Sequence, residues 1–235
     1  MFSKISGHLR ISAYFGSRMK SSSGIIFSSK PWMYLTLLTG LSLVMRFFSF
    51  FPSVMDHDES TYIVIADAVR QGQVYLRDVI DTKPIGIFLL FGAFQSILGK
   101  SIIAIRVMTA LWVASTGWML YLTHRELLKG SSTQTSDAGP LATGIIYVYT
   151  LSVFTNFGVS PNTELFFALF SATALFITLR YSSPVLFLIA GFLLGLGFMI
   201  KYVVLFDALA IGFFYLWMQI VQGKKWGYWF FRCTL

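Results

Sequence analysis

Residues 185–221 read VLFLIAGFLLGLGFMIKYVVLFDALAIGFFYLWMQIV, a run of 37 residues broken by only two charges, Lys201 and Asp207. As one helix it would measure about 55 Å, against roughly 30 Å for the hydrocarbon layer of a bilayer. A charge at the bilayer centre is costly, so Lys201 with Tyr202 is read as a hairpin tip joining two spans. Asp207 lies one to two turns beyond Lys201 and is expected to neutralise Lys201 or Arg46.

The rest of the 235-residue chain agrees with a lipid solvent. It is 56% hydrophobic and 17% aromatic, and only 12% of its residues are charged, with mean hydropathy +0.70. A soluble domain carries about a quarter charged residues. The formal charge of +8 does not mark a nucleic-acid binder, because the bases sit beside apolar runs, where they set topology. The single cysteine, Cys233, excludes an intrachain disulfide.

Working back from the hairpin, further apolar runs cover Trp32–Phe51, Ile102–Thr123, Leu141–Phe157 and Leu165–Leu179. The expected fold is all-α, a polytopic bundle of about six spanning helices. Ile85–Leu98 is short and lies between Lys83 and Lys100, so it reads as a re-entrant or interfacial helix. The chain then divides into a basic cytoplasmic tail (1–31), a membrane domain (32–222) with its first outer loop at 52–101, and a short cytoplasmic tail (223–235). A mitochondrial-type presequence is the alternative reading of the first segment, which is Ser-rich and free of acids. Residues 130–139 read as a polar linker.

Charge placement fixes an orientation. With the N-terminus inside, Arg125, Lys129 and Arg180 join the basic termini on the cytoplasmic side, opposed only by Glu126 and Asp137. Asp56, Asp58, Glu59, Asp67, Asp78, Asp81 and Glu164 fall on the other side, which is periplasmic, extracellular or lumenal. Neither Asn156 nor Asn162 lies in a glycosylation sequon.

The outer loop carries the chemistry. Asp56-His57-Asp58-Glu59 precedes a helical pattern of Tyr62, Ile65, Ala66 and Val69 that Gly72 ends. Asp56 and Glu59 have the spacing of a capping box, which would account for two of the acids structurally. Asp58, Asp78, Asp81 and Lys83 remain outside that explanation. A carboxylate at a water–lipid boundary can take a proton from an attacking alcohol or amine, and a phosphate leaving group needs cations beside it. Lys83, Lys201, Arg46 and Arg106 are the cations near that face. Arg46, inside the first apolar run, reads equally well as snorkelling to the interface. The ligand spacing gives no expectation of a metal, and no cofactor is implied.

In order, Asp58-Glu59-Ser60-Thr61-Tyr62, Gly72, Asp81-Thr82-Lys83-Pro84, Leu98-Gly99 and Arg106 resemble the GT-C glycosyltransferases. The closest group is the protein O-mannosyltransferases and aminoarabinose–lipid A transferases. Pro161-Asn162-Thr163-Glu164 resembles that group's second outer-loop acid, and Gly191-Phe192-Leu193-Leu194-Gly195-Leu196-Gly197 leading to Lys201 resembles its Gly-rich helix. Ile85 stands where the group usually has a second Pro. The resemblance implies an integral membrane protein that transfers a sugar, with inversion, from a polyprenyl-phosphate donor to a lipid, glycan or protein acceptor. Carried over, Asp58 would be the general base with Glu59 and Tyr62 in support. Lys83 would meet the donor phosphate, held by Asp81, with Lys201 nearby. Members of the group are longer, so the chain is expected to be an N-terminal portion. A non-catalytic relative or subunit, or a transporter using Arg46, Lys201 and Asp207, are the competing readings.

Overall fold

The computed structural model describes residues 30–53, 55–129, 136–153 and 159–221. The two tails, most of the linker and the end of the third apolar run lie outside these. The described residues form helices with no strand: α1 (Lys30–Met45), a 3-10 turn (Phe47–Phe50), α2 (His57–Arg70), α3 (Gly86–Leu98), α4 (Ile102–Leu128), α5 (Ala138–Val153), α6 (Thr163–Arg180), α7 (Pro184–Ile200) and α8 (Val204–Val221). The hairpin falls where the lone cation predicts. Lys201 is extended (φ −153°, ψ 130°) and closes α7 by donating its N–H to the Gly197 carbonyl.

Two helices, α4 and α6, are both long and apolar enough to cross a membrane. The others, except the charged α2, are shorter apolar helices. The first run is shorter than its hydropathy suggests because α1 stops at Met45, and Arg46 leaves helical geometry before the 3-10 turn. Helices α7 and α8 leave large apolar side chains open, as lipid-facing helices do: Phe192, Phe206 and Phe213 are each about two-thirds exposed.

Helix α4 is the centre, in contact with α1, α3, α5 and α6. Its crossing with α5 is a close glycine–glycine contact. A Cβ on Gly144 would stand 2.8 Å from the Gly117 carbonyl oxygen, and one on Gly117 would stand 3.1 Å from that of Gly144. Small residues of this kind let membrane helices approach to backbone contact.

Charged groups collect at the two ends of α4. At one end Glu126 accepts from Lys129 (2.6 Å) and Arg180 (2.9 Å), and Arg125 pairs with Asp137 (3.5 Å). At the other is Arg106, twenty residues and so about 30 Å away along the helix, which matches the thickness of bilayer hydrocarbon.

Arg106 determines where the outer loop sits. Its guanidinium donates from Nε and Nη2 to the two oxygens of Glu59, both at 2.8 Å, and from Nη1 to the carbonyls of Ser49 and Pro52. Both partners are almost fully buried, at 1% and 2% exposure. Two ions removed from water are tolerated only when geometry and remaining hydrogen bonds are good, and here the fork is bidentate with two carbonyls behind it. The capping-box expectation is thereby corrected. Asp56 occupies the N-cap position, but its side chain makes no capping bond, and Glu59 turns to Arg106. An ionic fork is the stronger attraction for a carboxylate that reaches both partners.

An aromatic core completes the anchorage. Tyr62, Ile65 and Ala66 of α2 and Ile87, Phe88, Phe91 and Phe94 of α3 pack with Phe166 of α6 and Ile200 at the end of α7. Edge-to-face contacts run from Tyr62 to Phe91 (5.4 Å) and from Phe91 to Phe166 (5.6 Å).

Breaking the fork on one side should cost far more than removing it. Glu59→Gln or Arg106→Met alone is expected to destabilise the protein by about 3–5 kcal/mol, because one buried charge is left unpaired. The double variant Glu59→Leu/Arg106→Met should recover most of that loss. Thermal unfolding of all three in detergent checks it, and additive losses would contradict the buried-pair account.

Candidate active site

Asp58 stands one residue before the pinned Glu59, so the fork fixes the helix turn that presents it. Its Oδ2 accepts from the Tyr62 hydroxyl at 3.1 Å, one turn along α2, and its Oδ1 lies 3.5 Å from the Lys83 ammonium. The carboxylate remains partly open, at 40% side-chain exposure. Burial, then the Asp58 charge and hydrogen bond, with smaller contributions from Glu164 and Asp81, push the Tyr62 phenol well above its ordinary range. Tyr62 is therefore a fixed hydrogen-bond donor to Asp58.

Lys83 is placed by its own loop. Its backbone N–H donates to Asp81 Oδ1 at 2.8 Å, and the Tyr75 hydroxyl lies on the carbonyls of both Asp81 (2.9 Å) and Lys83. Tyr75 is itself packed on Phe88, with ring centroids 5.1 Å apart. The ammonium rests 5.8 Å above the Tyr62 ring, near the outer limit of cation–π attraction. Asp78, an unassigned acid in the sequence, is a turn-former here. It accepts from the Val74 N–H at 2.8 Å and pairs with Arg77, and these contacts hold its carboxyl below the usual range, Arg77 contributing most.

Lys201 reaches the same region through backbone contact. A Cβ on Gly86 would lie 2.4 Å from the Met199 carbonyl oxygen, so the start of α3 abuts the last turn of α7 and admits no side chain there. That contact sets the Lys83-Pro84-Ile85 segment against the α7–α8 turn. Lys201 forms an ion pair with Glu164 in the first turn of α6, and Glu164 also accepts from Thr163 (3.1 Å). Asp58, Tyr62, Asp81, Lys83, Glu164 and Lys201 thus gather around one end of α2, α3, α6 and α7.

The two arginines are placed elsewhere. Arg106 is engaged by Glu59 and two carbonyls, as above. Arg46 is equally buried and donates to the carbonyls of Leu151 (2.9 Å) and Val159 (2.7 Å), tying the end of α1 to the last turn of α5 and to the segment before α6. It neither snorkels nor faces Asp58. Asp207, expected to neutralise Lys201 or Arg46, accepts instead from the Ser171 hydroxyl at 2.7 Å. Among the described residues, no three His, Cys, Asp or Glu side chains converge as metal ligands would.

Sequence reasoning passed over Tyr75 and Gly86, the residues that orient Lys83. Neither lies in a charged motif. Their importance comes from a carbonyl and a backbone contact that leave no mark on residue type.

The geometry can be set beside known proteins. No curated protein and no solved structure matches the chain. The family model described as dolichyl-phosphate-mannose-protein mannosyltransferase matches residues 82–232, which is more than half of the chain. The matched region contains Lys83, Glu164 and Lys201, while Asp58, Glu59 and Asp81 precede it. The chain belongs to the dolichyl-phosphate-mannose-protein mannosyltransferase family, whose members are GT-C membrane glycosyltransferases.

Proposed function

We propose that this chain carries the donor-binding and base-bearing part of a transferase that moves a sugar from a polyprenyl phosphate to an acceptor at the non-cytoplasmic membrane surface. The observation that carries the reading is the ion pair between Asp58 and Lys83, 3.5 Å long, beside a second pair from Lys201 to Glu164. One carboxylate suited to a base and two lysine ammonium groups suited to a phosphate share one end of the bundle.

In this reading Asp58 removes the proton from an acceptor O–H or N–H as its lone pair attacks the anomeric carbon. The bond from that carbon to the phosphate oxygen breaks, its electrons leave with the polyprenyl phosphate, and the anomeric configuration inverts. Lys83 and Lys201 stabilise the charge growing on the phosphate. Tyr62 orients Asp58 through its fixed hydrogen bond. Asp81 holds the Lys83 backbone, and Glu164 holds Lys201 in the absence of donor. Without donor, Lys83 covers the base. An arriving phosphate competes for that ammonium and uncovers Asp58, so donor binding precedes acceptor activation. Arg46 and Arg106 act as structural pins in this scheme and leave the phosphate to the two lysines.

Charge placement supports one orientation for this reading. The Asp58 end faces away from the cytoplasm, and the Glu126 end, beside Arg125, Lys129 and Arg180, faces inward. Six spans (α1 with the 3-10 turn, and α4 to α8) put those ends on opposite surfaces, with α2 and α3 lying at the outer one. The acceptor is a lipid, glycan or protein hydroxyl or amine, and membrane lipids surround the bundle.

Asp58→Asn in a full-length, membrane-inserted version should lower sugar transfer by about 10²–10⁴-fold without changing insertion, while donor binding holds or tightens because Lys83 loses its competing carboxylate. Transfer at the parent rate would remove Asp58 as the base. Lys83→Ala should raise the donor KM by about tenfold to a hundredfold and lower kcat less. An unchanged donor KM would remove the phosphate contact.

A further inference from the structure

Helix α2 has a second face, half a turn from Asp58, that the transfer scheme does not use. It packs mainly on α3, leaving an open cleft of about 230 Å³ between α2 and the start of α4. Ile63 and Val64 form one wall, and Ile102 and Ile105 form the other. Asp67 lies at the mouth, nine residues from Asp58, which on a helix means about 14 Å along the axis and the opposite side.

The mouth is charged and the surroundings are apolar. Lys100 pairs with Asp67 at 2.5 Å, and Arg70 stands 4.0 Å from the same carboxylate. Arg70 also donates to Gln95 at 3.3 Å, and the Gln95 amide in turn holds the Ile63 carbonyl at the cleft wall. Two cations around one carboxylate leave a net charge of +1, and the Lys100 side chain is 59% exposed. Lys100 lies two residues before α4, the longest apolar helix, which puts the mouth at the membrane surface. Val64, Ile97, Leu98 and Ile103 are exposed around it.

We infer that this cleft is a binding site for one anionic phospholipid, with part of an acyl chain between α2 and α4 and the phosphate on Lys100 and Arg70. The volume suits a stretch of hydrocarbon and is below the roughly 300–1,000 Å³ of sites for larger ligands. The net positive mouth selects a net negative headgroup, since each basic side chain at a membrane surface attracts acidic lipid. Burial of the acyl chain fills the gap beside the Glu59–Arg106 fork, so the lipid acts as packing for the outer loop. The inference stands on the cleft and its charges, independently of the transfer reaction.

The test uses the full chain in nanodiscs of phosphatidylcholine with one-fifth phosphatidylglycerol. Detergent extraction followed by native mass spectrometry should show one phosphatidylglycerol retained per chain, well above its share of the bilayer. Lys100→Gln should lower that retention about fivefold, whereas Lys129→Gln, at the far end of α4, should leave it unchanged. Val64→Trp, which fills the mouth without altering charge, should also lower it. Retention of the two lipids in proportion to the bilayer, or indifference to Lys100→Gln, would overturn the inference. Displacement of the retained lipid by added polyprenyl phosphate would also overturn it, by giving the cleft to the donor.

Discussion

The Glu59–Arg106 fork is the constraint on which the outer face of this protein depends. Without it, α2 would be tied to the bundle mainly through its aromatic packing on α3. With it, the carboxylate of α2, the guanidinium of α4 and the carbonyls of Ser49 and Pro52 meet at one point. A charge pair so nearly closed to water is a poor source of net stability compared with a hydrophobic replacement. Its value is positional, because only one rotation of α2 satisfies both oxygens, and that rotation turns Asp58 toward Lys83.

From that point the site assembles by short backbone contacts. Gly86 against Met199 joins the α3 entry to the α7–α8 turn, and Tyr75 clamps the loop that carries Lys83. Lys201 arrives where the longest apolar run breaks. Each ammonium rests on a carboxylate, so both cations are held ready yet remain exchangeable for a phosphate. The same pins leave the other side of α2 poorly filled, which is where the lipid cleft arises.

Several of these features are legible in the residues alone. The hairpin at Lys201 follows from one charge in a run too long to be a single span. The α2 helix and its inward face follow from Tyr62, Ile65 and Ala66 recurring at helical spacing, and its end follows from Gly72, which takes φ +93°. What stayed hidden is the choice among partners. Glu59 has the spacing of a capping residue and also the reach to meet Arg106 forty-seven positions away, and nothing local decides between them. Arg46 and Arg106 look like spare cations because their acceptors are mostly backbone carbonyls, present at every position. Charge alone points Asp207 to the nearest bases, yet it accepts from Ser171 on a neighbouring helix. Hydropathy over the first run does not register the break at Arg46, whose side chain turns toward Leu151 and Val159.

The most direct measurement is an experimental structure of the full-length protein bound to a non-hydrolysable phosphonate analogue of a polyprenyl-phosphate sugar. The phosphonate should lie within hydrogen-bond distance of the Lys83 and Lys201 ammonium groups. Asp58 should be released from Lys83, still held by Tyr62, and turned to the anomeric carbon on the side away from the phosphonate. A phosphonate bound elsewhere, or Lys83 and Lys201 separated by more than one phosphate can bridge, would contradict the transfer scheme.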